Sequence, residues 1–212
     1  DSAPYQEVYD AIRTSTDGAI TITRLYADAP SEAAQNARLI VTVGVRAAEF
    51  VAGVGGKTPL LAVLVPKSWY LKTGRPLLTG NGRRVVSALY LDQPYARQAS
   101  LIHWAFPDAK RVGVLVGADQ AQVHEEIGAA LRRRGLTLVS EVLDPQQKLI
   151  EPLEKLFTQS DLMLGLPDAD VFNRTTVQSV LLTSYRYHDP VVGYSRSLTR
   201  AGALVSLYST PA

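Results

Sequence analysis

Cysteine is absent from this 212-residue chain, and neither sign of charge is in large excess. Without cysteine there can be no disulfide framework and no thiolate metal site, so the composition suits either the cytosol or an envelope compartment. The formal net charge of +2 is too small to indicate a nucleic-acid or membrane partner. No apolar run approaches the roughly 20 residues that a membrane-spanning helix needs. We therefore expect no nucleic-acid partner and no direct membrane insertion.

The residue sets that support common enzyme chemistries are incomplete. The segment from Gly53 to Thr58 lacks the first glycine of a phosphate-binding P-loop, because position 51 is valine. The segment Gly193-Tyr-Ser195 begins like a nucleophile elbow, but position 197 is serine where that motif needs glycine. The three histidines are scattered and have no partner at metal-ligand spacing. We therefore expect a protein that is not an enzyme and that needs no cofactor.

What the chain does contain is an alternation of short apolar runs with helix-forming segments. Apolar runs bounded by turn or cap residues indicate buried strands. The predicted strands cover residues 19–26, 39–43, 59–65, 85–91, 111–116 and 136–143, followed by three closing runs within 161–168, 190–195 and 201–208. Strands that alternate with helices imply parallel sheets with right-handed crossovers, so the predicted fold class is α/β.

Helices are predicted to follow a cap at Ser2 and to cover residues 45–52, 94–106, 119–134 and 147–157. The stretch 66–84 holds two prolines and three glycines and is predicted to be a loop. The early part of the chain holds fewer and shorter units than the later part. We therefore predict two lobes with a sheet each, an N-terminal lobe of residues 1–88 and a C-terminal lobe of residues 89–208, with a cleft between them.

Polar residues follow the closing strands at the carboxyl ends, where ligands bind in open α/β sheets. Asp168 is expected to meet a cation such as a ligand amine, with Asp170 as the cap of the next helix. Tyr194 and Ser195 occupy the equivalent place on the next strand, and tyrosine offers an apolar face with a polar tip. In the first lobe, Gly44 precedes a helix whose backbone N–H groups can hold a carboxylate. A purely structural role, as cap, rim or turn, is the alternative at each position.

The C-terminal part of the chain also carries a more specific pattern. The segments 88–98, 107–117, 166–174 (Leu-Pro-Asp-Ala-Asp-Val-Phe-Asn-Arg), 181–186, 190–195 (Pro-Val-Val-Gly-Tyr-Ser) and 200–209 follow one another in order. Together they resemble the ABC-transporter substrate-binding proteins of the uncharacterised, tryptophan-transporter-like type. The resemblance covers most of residues 85–209 and is looser before residue 85.

This resemblance implies a type I periplasmic-binding-protein fold, in which two Rossmann-like lobes close on a small solute and pass it to a membrane permease. It implies a periplasmic or cell-envelope location, with or without a lipid anchor on a removed N-terminal segment. Family members usually begin with an apolar strand before the counterpart of Asp1. The sequence is therefore expected to be either a trimmed form or a variant with a shortened first lobe. Residues 209–212 are expected to start a crossover back to that lobe.

The resemblance also implies a set of ligand contacts, and members with known ligands take amino acids, often aromatic ones. The implied ligand-binding residues are Ser2, Tyr5, Gly44, Val45, Arg46, Asp168, Tyr194 and Ser195. The family commonly has Gly-Thr where this chain has Gly44-Val45, so a hydroxyl that could bind a ligand carboxylate is missing. Arg46 is either a substitute for that hydroxyl or a solvated helix residue.

Two functions from different classes follow. The favoured function is the solute-binding component of an ABC transport system, which binds a small molecule, such as an amino acid, in the inter-lobe cleft. The alternative is a sensory or interaction module that keeps the fold without a transported ligand. The shortened first lobe and Val45 motivate this alternative.

Overall fold

A computed structural model describes residues 3–26, 36–82, 84–117, 121–143, 149–168 and 170–209. Ser2, one of the expected ligand residues, lies outside this described part. The chain divides into two compact units, Asp1–Leu91 with Ser209–Ala212 as the N-terminal unit and Asp92–Tyr208 as the C-terminal unit. The boundary predicted between residues 88 and 89 falls inside a strand of the N-terminal unit. None of the described helices is both long and apolar enough to cross a membrane.

The N-terminal unit is built on a parallel sheet of three strands in the order β1-β2-β3. Its elements are α1 (Ala3–Thr16), β1 (Ile40–Val43), α2 (Val45–Val54), β2 (Leu60–Val65), α3 (Lys67–Trp69), a π-helical turn (Tyr70–Gly74), α4 (Arg75–Thr79) and β3 (Val86–Tyr90). One face of the sheet packs against α2 and α4 around Leu60, Val65 and Leu78. On the other face Val63 is buried, whereas its neighbour Leu89 on β3 is 62% exposed, so most of the described core of this unit lies on one side of its sheet.

The strand predicted at residues 19–26 is wrong. Residues 21–26 form irregular chain, and no described strand pairs with them. Instead, Arg24 donates a hydrogen bond to Gln6 of α1, and its guanidinium lies over the rings of Tyr9 and Tyr26. The alternating apolar pattern predicted a half-buried strand, but a strand also needs a neighbour for its backbone hydrogen bonds.

The loop predicted at residues 66–84 is also wrong, because this stretch is mostly helical. Pro66 directly precedes α3, and Pro76 lies in the first turn of α4, where a missing N–H loses no helical hydrogen bond. Gly74 has a helical φ of −65°. A Cβ added at Gly74 would lie 2.6 Å from the ring of Trp69, so this glycine makes room for the indole. The prolines that indicated a loop therefore lie at helix starts, and Gly74 allows close packing within a helical segment.

The C-terminal unit has a parallel sheet of five strands in the order β5-β4-β6-β7-β8. Its elements are α5 (Tyr95–Ala105), β4 (Arg111–Gly117), α6 (Ala121–Arg132), β5 (Thr137–Leu143), α7 (Ile150–Gln159), β6 (Leu162–Leu164), α8 (Val177–Tyr187), β7 (Val191–Gly193), α9 (Arg196–Ala201) and β8 (Val205–Ser206). Val114 packs with α5 and α6 on one face, and Leu115 packs with α7 and α8 on the other. The predicted α/β class with two parallel sheets is confirmed.

The short strand β6 is tied to β4 at its start by a carboxylate. Asp161 accepts hydrogen bonds from the backbone N–H groups of Lys110 and Arg111, both at 2.7 Å, and pairs with the Arg111 guanidinium at 2.7 Å. Burial raises the pKa of Asp161, but these hydrogen bonds outweigh it and hold the pKa below its usual value. This contact fixes the amino end of β6 and so positions the residues that follow its carboxyl end.

Candidate functional site

The carboxyl ends of β4, β6 and β7 meet at one edge of the C-terminal unit, because these strands are parallel neighbours. Gly117 ends β4, Asp168 follows β6 after a short turn, and Tyr194 and Ser195 follow β7. The predicted residues of this unit are therefore brought to the same place. We call the group formed by Gly117, Asp168, Asp170 and Tyr194 the acidic edge.

Asp168 is nearly buried, at 9% exposure, and its carboxylate links two strand ends. Its Oδ2 accepts the backbone N–H of Gly117 at 3.0 Å, and its Oδ1 accepts the N–H of Asp170 at 2.9 Å. The carbonyl oxygen of Asp168 also accepts the N–H of Phe172 at 2.7 Å. An Asp that binds the backbone two residues ahead forms an Asx turn. The sequence pattern favoured Asp170 as the cap of the next helix, but that helix, α8, begins at Val177 after Thr176. Asp168 instead closes the turn that follows β6.

Asp170 is the exposed member of the pair. A Cβ added at Gly117 would lie 3.2 Å from Oδ2 of Asp170 and 3.3 Å from Oδ2 of Asp168. The two carboxylates thus flank an α-carbon that carries no side chain. Within the described ranges, the Asp170 carboxylate takes part in no hydrogen bond or ion pair. Asp170 was not among the predicted ligand-binding residues, although its place two residues after Asp168 at a strand end was a usable signal.

Tyr194 lies beside this pair. Burial raises the pKa of the Tyr194 hydroxyl, and the Asp168 carboxylate raises it further. The phenol therefore stays protonated at neutral pH and can donate a hydrogen bond. Its ring packs edge-on against Phe172, with ring centroids 5.7 Å apart. A Cβ added at Gly165 would lie 3.0 Å from the Phe172 ring, so glycine at this position makes room for the aromatic pair.

Ser195 has a structural role that the sequence also allowed. It is the N-cap of α9, and its Oγ accepts the backbone N–H of Leu198 at 3.1 Å. Its hydroxyl hydrogen can still donate to a second acceptor. A ligand contact at Ser195 therefore stays a prediction, as it does at Asp168.

The expected residues of the N-terminal unit lie at the start of α2. Gly44 has φ +84° and ψ 165°, a conformation that is essentially restricted to glycine. No described side chain caps α2, so its first N–H groups depend on other acceptors. The Tyr5 hydroxyl of α1 covers Gly44, because a Cβ added there would lie 2.7 Å from it. Val45 is half-buried and Arg46 is exposed in the first turn of α2.

The start of α2 and the acidic edge favour ligand groups of opposite charge. Uncapped N–H groups and the positive end of the helix dipole favour an anion such as a carboxylate. The acidic edge favours a cation. In the described part of the chain, no three acidic or histidine side chains are grouped to hold a metal ion.

Several solved structures share this fold. The chain is similar to a conserved domain protein from Vibrio cholerae, with a TM-score of 0.61 and 17% identity over 96% of this chain and 62% of that one. It is similar to the ABC domain in complex with L-Trp from Streptococcus pneumonia, with a TM-score of 0.63 and 15% identity over 100% and 76% of the two chains. It is also similar to the ligand-free, open structure of a substrate binding protein with adhesive properties from Clostridium difficile. Here the TM-score is 0.63 and the identity is 14%, over 96% of this chain and 74% of that one.

These similarities confirm the predicted fold, two α/β units with parallel sheets as in substrate-binding proteins. No family model matches the sequence, and a search of curated proteins gives no match. This chain spans less than two thirds of the Vibrio cholerae protein.

Proposed function

We propose that this protein is a solute-binding component of a transport system and binds a small molecule with a protonated amine, without transforming it. The acidic edge carries the proposal, because two carboxylates lie next to Gly117 there and the Asp170 carboxylate has no partner among the described residues. A charged ammonium group complements such a pair, and hydrogen bonds between charged groups are roughly twice as strong as neutral ones.

A carboxylate-binding group and an apolar surface support an amino acid as the solute. Within the N-terminal unit, the uncapped start of α2, with Gly44 and the Tyr5 hydroxyl, suits a carboxylate. The edge-on pair of Phe172 and Tyr194 offers an apolar surface beside the carboxylates. The similar ABC domain holds L-Trp, and we propose an amino acid with a sizeable apolar side chain for this chain too.

The transport context forms the next part of the proposal. We propose that the solute is passed to an ABC permease and that the protein works in the periplasm or cell envelope. This is supported by the sequence resemblance over residues 85–209 and by similar structures described as an ABC domain and a substrate binding protein.

The proposal is tested by calorimetry and thermal unfolding against a panel of amino acids. A ligand present at 100 times its Kd should stabilise the folded protein by about 2.7 kcal/mol through mass action. Asp170→Asn should weaken binding of the amine about ten- to a hundredfold, because hydrogen bonds to charged groups contribute about 1.5–3 kcal/mol. The matched control is Asp108→Asn, which alters an exposed carboxyl of the same unit outside the acidic edge.

The roles of the two polar groups can be separated with a ligand pair. Tyr5→Phe should weaken binding of the amino acid but leave its decarboxylated amine unaffected. Asp170→Asn should weaken both ligands. Wild-type affinity in Asp170→Asn, or no stabilisation by any amino acid or amine, would sink the proposal and favour a module without a transported solute.

A further inference from the structure

The edge opposite the acidic edge carries an exposed tryptophan among cations. A shallow hollow of about 280 Å³ lies where α5 and α6 end, next to the amino ends of β4 and β5. Its walls include aromatic, apolar and basic side chains, namely His103, Trp104, Phe106, Lys110, Arg134 and Leu136. Trp104 is 76% exposed. We call this group the tryptophan patch.

The patch has an excess of positive charge. Among the described residues, the side chains of Lys110 and Arg134 make no hydrogen bond or ion pair. Exposed Arg133 precedes Arg134 on the same helix end. The carboxylate of Asp161, which binds the backbone N–H of Lys110, is already paired with the Arg111 guanidinium. Two acids without a described ion pair lie near this edge: Asp108, two positions before Lys110, and Asp189, which interacts with Asp161 and Arg111. The three cations Lys110, Arg133 and Arg134 outnumber them.

Helix electrostatics explain only part of this arrangement. Arginines at the end of α6 complement the negative end of the helix dipole. This reason does not apply to Lys110, which directly precedes β4, and it does not explain why an indole is left in solvent. Burying a large apolar side chain usually gains about 1.5–3 kcal/mol, so the exposure of Trp104 forgoes a stabilising contribution. An exposed indole that lines the same hollow as two unpaired cations indicates a binding surface.

We propose that the tryptophan patch binds the surface of an anionic lipid bilayer. Indole rings prefer the headgroup level of a bilayer, where the apolar ring and the polar N–H are both satisfied. Each Lys or Arg near an anionic surface contributes about 1 kcal/mol of attraction. The hollow is at the lower limit of the pockets of about 300–1,000 Å³ that hold small molecules, and the indole on its wall is largely exposed to solvent. The exposed indole and the cations beside it therefore suit an anionic surface that they can reach without entering an enclosed site.

The proposal concerns contact with the bilayer surface and no spanning segment. The net charge of +2 did not indicate it, because most of the acidic residues that balance the chain lie outside this part of the sequence. It is also independent of solute binding, since the patch and the acidic edge lie at opposite ends of the same strands. Variants of the patch should therefore keep the affinity for any solute.

The test uses vesicles of phosphatidylcholine, with and without phosphatidylglycerol. The unaltered protein should sediment with the anionic vesicles, less so at high salt, and should stay in solution with neutral vesicles. In Trp69→Phe, Trp104 is the remaining tryptophan, and its emission should move to shorter wavelength on binding. Sedimentation of the unaltered protein keeps the test valid if Trp69→Phe folds poorly.

Variants then assign the binding to the patch. Lys110→Gln and Arg134→Gln should each lower vesicle affinity about fivefold, as expected for about 1 kcal/mol per cation. Trp104→Ala should lower it and remove the emission shift, whereas Lys57→Gln in the N-terminal unit should have no effect. Equal binding to neutral vesicles, or no binding to either kind, would overturn the proposal. An emission shift caused by polyglutamate but not by vesicles would also overturn it, in favour of an acidic protein partner.

Discussion

Two carboxylates, Asp168 and Asp161, hold strands β4 and β6 together, and we call each of them a clamp. Replacement of Asp168 by alanine tests whether the burial of a clamp or its number of hydrogen bonds decides its contribution to stability. Strands β4 and β6 pair directly over two residue pairs only, and carboxylates extend the pairing at both ends. At the carboxyl end, the buried Asp168 holds the N–H groups of Gly117 and Asp170. At the amino end, Asp161 makes more hydrogen bonds, but its side chain is 29% exposed. Asp168 is thus the more buried of the two carboxylates, whereas Asp161 makes the larger number of hydrogen bonds.

The expected loss of stability depends on the backbone N–H groups that each substitution leaves without an acceptor. Hydrogen bonds to charged groups contribute about 1.5–3 kcal/mol each, and a buried donor without an acceptor bears the full desolvation cost. The N–H of Gly117 is buried, whereas Asp170 is exposed and water can replace its partner. We expect Asp168→Ala to lower the free energy of unfolding of the C-terminal unit by about 2–4 kcal/mol. Asp168→Asn should cost about half as much, because one carbonyl oxygen remains as an acceptor.

The control is Asp161→Ala, for which we expect a loss of about 1 kcal/mol, because water reaches the freed N–H groups. Urea titration followed by far-ultraviolet circular dichroism measures all three variants under the same conditions. If Asp161→Ala destabilises the protein as much as Asp168→Ala, then the number of hydrogen bonds decides and the burial reasoning is refuted.

Three further substitutions test other sites. Burial raises the pKa of Asp189, so its folded state binds a proton more tightly than the unfolded chain. Asp189→Asn should therefore raise the thermal midpoint at neutral pH. This gain should shrink as the pH falls through the raised pKa of folded Asp189 and should vanish below the pKa of the unfolded chain, so an equal gain at acid pH would contradict the reasoning. Gly44→Ala should destabilise the protein in urea by about 1–3 kcal/mol through backbone strain, with an added clash that Tyr5→Phe relieves. Gly113→Ala should cost about 1–3 kcal/mol, because its Cβ would lie 2.6 Å from Oγ of Ser160, and Ser160→Ala should recover part of this loss.

The elements of the C-terminal unit could be predicted from the sequence where burial is two-sided. Strand β4 was predicted at 111–116 and lies at Arg111–Gly117, because an apolar run buried on both faces has a clear pattern. The N-terminal unit was harder. Residues 19–26 have the alternation of a strand without a paired neighbour, and residues 66–84 hold prolines and glycines that a helical segment accommodates at its ends and beside Trp69.

The site was partly predictable for a related reason. Strand ends indicated Asp168, Tyr194 and Gly44, and the structure brings the first two together at one edge. The division of roles between Asp168 and Asp170 was not predictable, because it depends on the N–H of Gly117, a residue 51 positions away in sequence. Local sequence shows that one of two nearby acids caps a turn, but not which one reaches a distant strand.

The placement of the two tryptophans has a practical consequence for unfolding experiments. Trp69 belongs to the N-terminal unit and has a buried indole nitrogen, whereas Trp104 belongs to the C-terminal unit and already faces solvent. Heating can therefore change the environment of Trp69 far more than that of Trp104. Intrinsic fluorescence would follow the melting of the smaller sheet, while ellipticity would follow helices of both units, and a gap between the two curves would show that the units melt separately.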